Sequence, residues 1–327
     1  MILNEYGKVH IPMKFTWEMT EKCNLNCPLC YSIDCNSSKN EWKELSTEKA
    51  LKLFKILEKN EVLYLFLEGG EPLLREDFFE LLNVATSKFC TWVSTNGTLI
   101  SKENAKKFKD SNVGTVFVSL HGHSAKIHDT VTRTLGSFQA TINGIKFLVE
   151  EEVPVMTSFQ LSKMNYDYIE EYIKLCKELN VKKINFLRPY PLGNASENYN
   201  QFALTSEEYS NAVKEIELKC KEYDILVGHS FGEKNHNCCK QAFSADSRGD
   251  LMNCPYLRFL PRLGNVFDKE LIDVWNSNEA QKIRNSYKII SEDCKKCTNV
   301  EFCNGGCTAS KLLEKNEIRM KDPICWI

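Results

Sequence analysis

Thr20-Glu-Lys-Cys23-Asn-Leu-Asn-Cys27-Pro-Leu-Cys30-Tyr31 packs three thiols into eight residues, at the spacing Cys-x3-Cys-x2-Cys. Thiols this close are poorly placed to form disulfides with one another and well placed to wrap one soft metal centre. A closed structural site takes four ligands, so a local set of three leaves one position open. Two readings follow. Cys35, just downstream, completes a zinc site, or the three thiolates hold an iron–sulfur cubane with one iron left for a ligand from outside the chain. Zinc knuckles usually repeat a Cys-x2-Cys pair, which this stretch does not.

The remaining cysteines sharpen the question. The 327-residue chain has 15, with Cys23, Cys27, Cys30 and Cys35 early and Cys238, Cys239, Cys254, Cys294, Cys297, Cys303, Cys307 and Cys325 in the last quarter. Two cysteine-rich ends around a poor middle point to two metal-binding regions. Cys176 and Cys220 fall on apolar helix faces and read as core thiols, and Cys90 sits in a strand. The first residues turn polar too early for a secretory signal, and Val62–Leu67 is far too short to span a membrane. The chain therefore reads as cytoplasmic, where thiols stay reduced. A formal net charge of −2 supplies no basic field for nucleic acid and no handle for an anionic membrane.

Outward from the cysteine loop, apolar runs alternate with amphipathic stretches. Strands are expected at 15–19, 63–67, 90–94, 116–120, 153–159 and 183–187. Helices are expected at 47–60, 75–88, 102–110, 138–151, 166–179 and 206–223, the first with Ser46 as N-cap. Six β/α units of this length predict a parallel sheet with helices outside, an open sheet or a barrel, whose ligands gather at the C-terminal ends of the strands. The special residues fall there: the cysteine loop after strand one, Glu68-Gly-Gly-Glu-Pro72 after strand two, Ser94-Thr-Asn-Gly97 after strand three, and His121-Gly122 after strand four. No role is assigned to His121, His123 or His128. Paired glycines alone read as a turn; beside a thiol loop they also allow a backbone to approach a ligand closely.

The Cys-x3-Cys-x2-Cys loop, the Gly-Gly-Glu-Pro run and the β/α alternation together resemble a radical S-adenosylmethionine (SAM) enzyme, over about residues 14–190. The resemblance implies a partial (β/α)6 TIM-like barrel. It implies a [4Fe–4S] cluster on Cys23, Cys27 and Cys30, with SAM chelating the open iron. Gly69, Gly70, Glu71 and Pro72 are then expected at the methionyl end, and Ser94, Asn96, Ser119 and Arg133 at the ribose and carboxylate. The chain departs from the family in having Leu29 rather than an aromatic before the third cysteine, with Tyr31 after it. Glu68 stands where a small residue is common, and would bring a carboxylate near the cofactor.

The C-terminal cysteines, with Gly249-x4-Cys254, resemble a SPASM domain, which implies two auxiliary [4Fe–4S] clusters. Cys294, Cys297, Cys303 and Cys325 would hold the outer one. Cys254 and Cys307, with Cys238, Cys239 or both, would hold the inner one. Trp275 is expected to pack between them. The organisation expected is an extension over residues 1–13, a barrel over 14–205, a bridging helix and linker over 206–236, and a small cysteine-rich domain over 237–327 held together chiefly by metal.

A radical generator with extra clusters implies an oxidation or bond formation whose leftover electron needs an acceptor. The leading expectation is modification of a peptide or small protein, with a flavodoxin- or ferredoxin-type electron donor. About a dozen residues ahead of strand one leave no room for a leader-binding domain, so a leader would be recognised by a separate protein or by the barrel mouth. Sulfatase maturation fits less well, because Pro255 stands where those enzymes tend to carry an acid. The alternatives are a small-molecule enzyme acting on tetrapyrrole side chains or in cofactor assembly, and a non-catalytic iron–sulfur or zinc protein.

Overall fold

The computed structural model describes residues 12–32, 44–228 and 238–325, except the side chains of 238, 239 and 302. Six strands alternate with helices: β1 (Lys14–Glu18), β2 (Tyr64–Glu68), β3 (Cys90–Thr95), β4 (Thr115–Ser119), β5 (Val155–Gln160) and β6 (Lys183–Leu187). The helices are α1 (Thr47–Lys59), α2 (Phe78–Thr86), α3 (Lys102–Asp110), α4 (Ala125–Thr132), α5 (Ser137–Glu150), α6 (Ile169–Glu178), α7 (Ala195–Phe202) and α8 (Ser206–Glu222). Helix α1 starts where Ser46 accepts a hydrogen bond from Lys49 N, and α8 starts in a capping box between Thr205 and Glu208. Helices α4 and α7 are short and polar, which is why periodicity missed them.

Strands β1 to β6 pair in parallel with their sequence neighbours, the parallel sheet expected of six β/α units, in the α/β partial-barrel form that the resemblance implies. Leu65, Leu67, Val93, Val116 and Val118 point outward and are buried beneath the helices, so the alternate residues face inward. Tyr64, Phe66, Trp92 and Phe117 are half-buried on that inner face, with Phe66 5.2 Å from Phe117 between ring centroids. Above them, at the C-terminal strand ends, the inner face turns polar with Glu18, Glu68, Ser94 and Ser119.

The C-terminal region departs from expectation. Beyond β7 (Leu226–Val227), which extends the sheet past β6, β8 (Ala242–Ala245) lies parallel to β1, with Phe15 opposite Phe243. β9 (Leu251–Met252) follows it antiparallel. The cysteine-rich segment thus enlarges the barrel sheet and also contributes to its core. Phe243, Leu251, Val266, Leu271, Val274 and Trp275 are all buried in the same apolar cluster as β1 and α1. Trp275 packs edge-on against Phe243 at 5.5 Å, under the sheet. Apolar packing therefore holds this region, which was expected to be held chiefly by metal. Cys176 and Cys220 are core residues as expected, their thiols each pushed up to about 12 by burial. Among the described residues no helix is long and apolar enough to cross a membrane.

Candidate active site

The glycines after β2 explain how the cysteine loop is held. Gly70 N donates to Thr20 O at 2.8 Å and Glu71 N to Lys22 O at 2.7 Å, so the β1–β2 pairing continues to within one residue of Cys23. A Cβ on Gly70 would come within 2.1 Å of Lys22 O, and one on Gly69, at φ +142°, within 2.5 Å of Thr20 O. Only glycine allows this approach.

The rest of the loop is pinned by two helix ends and one strand end. Asn26 N donates to Thr132 O (3.2 Å) at the end of α4, and Ala195 N, at the start of α7, donates to Cys30 O (3.2 Å). Asn194 Nδ2 donates to Cys27 O (3.1 Å), and Gln160 Nε2, from the end of β5, to Leu29 O (3.2 Å). The backbone and half-exposed thiols of Cys23, Cys27 and Cys30 are thereby fixed at the barrel mouth. Burial pushes the Cys23 thiol up to about 11 and the Cys27 thiol well above its usual value, so bare thiolates are disfavoured there until a cation compensates them.

Glu71 and Asn96 are placed differently from expectation. The Glu71 carboxylate is fully buried and turned onto the end of β3, accepting from Thr95 Oγ1 (2.8 Å), Asn96 N (2.7 Å) and Leu73 N (3.1 Å). Burial still leaves its pKa near 7. Asn96 donates to Asn24 Oδ1 (2.8 Å) and accepts from Thr98 N (2.9 Å), which ties the loop rather than presenting a free amide. Pro72 opens a short 3-10 turn. Ser94 and Ser119 lie half-buried on the inner face. Arg133, the left-handed cap of α4, is exposed, and its positive charge acts on Cys27.

At the C-terminal side, Cys294, Cys297, Cys303 and Cys325 line one cavity, together with Asp322. Cys254 and Cys307 border a separate apolar cluster built on Tyr190 and Leu257, and Tyr190 Oη lies 3.4 Å from Cys307 Sγ. Cys238 and Cys239 open the short helix α9 (Cys238–Gln241) ahead of β8. Their side chains, and Cys35, lie outside what is described. Among the described residues no three Cys, His, Asp or Glu side chains converge on a single metal ion.

Several residues at the mouth carried no local sequence signal. Arg258 pairs with Glu18 and stacks over Tyr31 (5.3 Å), and Tyr256 packs on Tyr31 (4.7 Å) and Tyr190 (4.1 Å). Arg188 forms a bidentate pair with Asp322 at 3.1 and 3.0 Å. Position at the C-terminal end of a strand was the one available pointer, and it applies to Glu18, Gln160 and Arg188. His121 and His128 are structural. Nδ1 of His128 accepts from His121 N (3.0 Å) and Nδ1 of His121 from Gln160 N (3.2 Å), and burial lowers them to about 4 and 3.

A parallel partial barrel with a three-cysteine loop at its mouth, and a separate cavity lined by four further cysteines, is the arrangement that the resemblance to radical SAM enzymes implies. The radical SAM superfamily model matches residues 17–179, and an iron–sulfur cluster-binding (SPASM) domain model matches residues 238–298. The chain belongs to the radical SAM superfamily, in its SPASM-bearing branch, with SAM and iron–sulfur clusters as cofactors. It is 28% identical to mycofactocin maturase MftC of Mycolicibacterium smegmatis, over 96% of this chain and 82% of that protein. It is 25% identical to an AdoMet-dependent heme synthase of Oleidesulfovibrio alaskensis, over 94% of this chain and 86% of that one. Its fold matches the structure of anSMEcpe with bound AdoMet and Cp18Cys peptide at a TM-score of 0.79 and 20% identity, covering 96% of this chain and 94% of that one.

Proposed function

We propose that this enzyme reductively cleaves SAM and uses the radical to oxidise a peptide or small protein, by a cross-link or a side-chain oxidation. The observation that carries the reading is the thiol loop locked against Gly69 and Gly70 at the polar mouth of the barrel. In this reading Cys23, Cys27 and Cys30 hold the first [4Fe–4S] cluster. Bound SAM supplies a 5′-deoxyadenosyl radical when that cluster gives up one electron. The Gly69–Gly70 backbone receives the methionyl end, Ser94, Ser119 and Arg133 orient the remainder, and Glu71 and Asn96 brace the two loops.

Cys294, Cys297, Cys303 and Cys325 hold an outer auxiliary cluster. Cys254 and Cys307, with a ligand from the Cys238–Cys239 pair, hold an inner one. The barrel over 14–205 and the SPASM part over 237–327 act as one body joined through residues 206–236, a reading supported by the β1–β8 pairing. A flavodoxin- or ferredoxin-type protein donates the electron, and a separate leader-binding protein presents the peptide. MftC is named a maturase, and the solved structure of anSMEcpe has a bound peptide; the latter supports a peptide substrate. The heme synthase keeps a tetrapyrrole as the rival.

Reconstituted protein should bind on the order of 8–12 irons, four per cubane, and form 5′-deoxyadenosine from SAM and a reductant. Alanine at Cys23, Cys27 or Cys30 should abolish that cleavage, while Cys297→Ala should spare part of it. Mass measurement on a candidate peptide should show loss of hydrogens. Zinc in place of iron, or no 5′-deoxyadenosine, refutes the enzyme; turnover of a tetrapyrrole and of no peptide refutes the substrate class.

A further inference from the structure

Glu18 and Glu68 end adjacent parallel strands and stand directly opposite one another in register on the inner face of the barrel. Their partners differ. Glu18 is 3% exposed and bound to the Arg258 guanidinium, whereas half-buried Glu68 has a neutral donor, the Tyr31 hydroxyl at 3.0 Å. Tyr31 directly follows Cys30, so Glu68 sits between the thiol loop and the barrel interior.

The other carboxylates around the mouth are committed. Glu71 carries its three hydrogen bonds, Glu44 binds Arg75, Lys22 and Thr20, and Asp246 binds Arg248 and Arg262. Asp129 caps the start of α5. Neither His121 nor His128 offers a free Nδ1; the buried Nδ1 of His123 has no hydrogen-bond partner, but its ring packs against Tyr168 at the start of α6, after β4 and away from the β1–β2 strand ends.

We propose that Glu68 is the catalytic base of this enzyme, the group that takes the proton its peptide substrate loses. The proposal rests on the reading of function above. The chemistry balances as a two-electron oxidation. A substrate C–H bond breaks and its hydrogen atom leaves on 5′-deoxyadenosine. The substrate radical then gives one electron to an oxidised auxiliary iron–sulfur cluster and one proton to the Glu68 carboxylate. A new double bond or cross-link remains, two hydrogens lighter.

The surroundings suit a group that must take up and release a proton near neutrality. Burial first, then the negative charge of Glu18, raises the Glu68 carboxyl to about 7, while the Tyr31 hydrogen bond, Lys14 at the far end of β1 and Arg258 pull it down. Burial raises Glu18 as well, but the Arg258 guanidinium bound to it favours its ionised form, so of the two carboxylates side by side Glu68 is the proton acceptor.

Infrared titration of the iron-loaded protein with SAM alone tests the proton site without turnover. The wild-type minus Glu68→Gln difference should show a protonated carboxyl band titrating near pH 7. Tyr31→Phe, which removes a hydrogen bond to the ionised form, should move that midpoint up. With a deuterated peptide shown to lose hydrogens, Glu68→Gln should still move deuterium into 5′-deoxyadenosine. Its oxidised product per 5′-deoxyadenosine should fall about 100-fold, with part restored in Glu68→Asp. The wild-type ratio should rise with pH through about 7, following Glu68 ionisation. A band that titrates in the ordinary carboxylate range, or an unchanged product ratio in Glu68→Gln, overturns Glu68 as base. A wild-type enzyme that oxidises no peptide overturns the function on which the proposal rests.

Discussion

Asp322→Asn should be among the most damaging single-atom changes outside the cysteines. The Asp322 carboxylate is buried and accepts four hydrogen bonds: Arg188 Nη1 and Nη2 at 3.1 and 3.0 Å, Cys307 N at 2.7 Å and Ile324 N at 3.0 Å. It thereby joins the end of β6 to the loop of one thiol and to the residue before another. Asparagine keeps the shape, but an amide nitrogen must now face donors, and a buried guanidinium loses its counter-charge. Breaking one side of such a pair costs about 3–5 kcal/mol. At about 2.1 cal/mol/K per residue, ~4 kcal/mol lowers the melting temperature by about 6 °C when the chain unfolds as one body. The Arg188 charge and the neighbouring hydrogen bonds hold the folded Asp322 carboxyl below its usual value. Its contribution is complete above the unfolded value of about 3.9 and fades as pH falls through the folded one, so the variant and wild-type curves converge in acid. Thermal melts with iron analysis check this, and the iron lost should come from the C-terminal sites. A double change to apolar residues, Arg188→Met with Asp322→Leu, should recover much of the stability, since no charge is then stranded. A melting temperature for Asp322→Asn within about 1 °C of wild type would refute the reasoning.

Two further outcomes follow from the mouth of the barrel. Gly70→Ala places a Cβ 2.1 Å from Lys22 O and must part the two loops, losing two backbone hydrogen bonds worth about 1–3 kcal/mol together. Iron should drop by about one cubane, and SAM binding by calorimetry should fail, with the C-terminal clusters retained; full iron content would contradict it. His128→Asn keeps an acceptor for His121 N but removes a histidine that burial holds neutral down to about pH 4. Below about 6.5 the unfolded chain takes the proton and the folded one does not, so wild type loses about 1.4 kcal/mol per pH unit that the variant keeps. Urea midpoints measured from pH 7 to 4.5 should therefore converge as pH falls, and parallel profiles would exclude the effect.

The residues that name the chemistry were legible because their meaning is local. Three thiols in one loop, a Gly-Gly run after the next strand, and strand–helix alternation are short-range patterns, and a β/α chain must deliver them to one end of its sheet. Short helices were not legible: α7 buries only Ala195, and the buried face of α4 is His128, Val131 and Thr132, with one aliphatic residue, yet Thr132 and Ala195 at their ends hold the cysteine loop. Glu71 and Asn96 were found as site residues, but which way their side chains turn was decided by Thr95, Asn24 and Thr98.

By itself, then, the sequence determined the thiol sets, the barrel class and the mouth at which the cofactor is expected. Tertiary structure alone decided that β8 lies beside β1, that Glu18 faces Glu68, and that Asp322 meets Arg188 across 134 positions of chain. Such pairings depend on strand register and on which buried charge finds a counter-charge. Those are properties of the whole packed sheet, and no window of neighbouring residues encodes them.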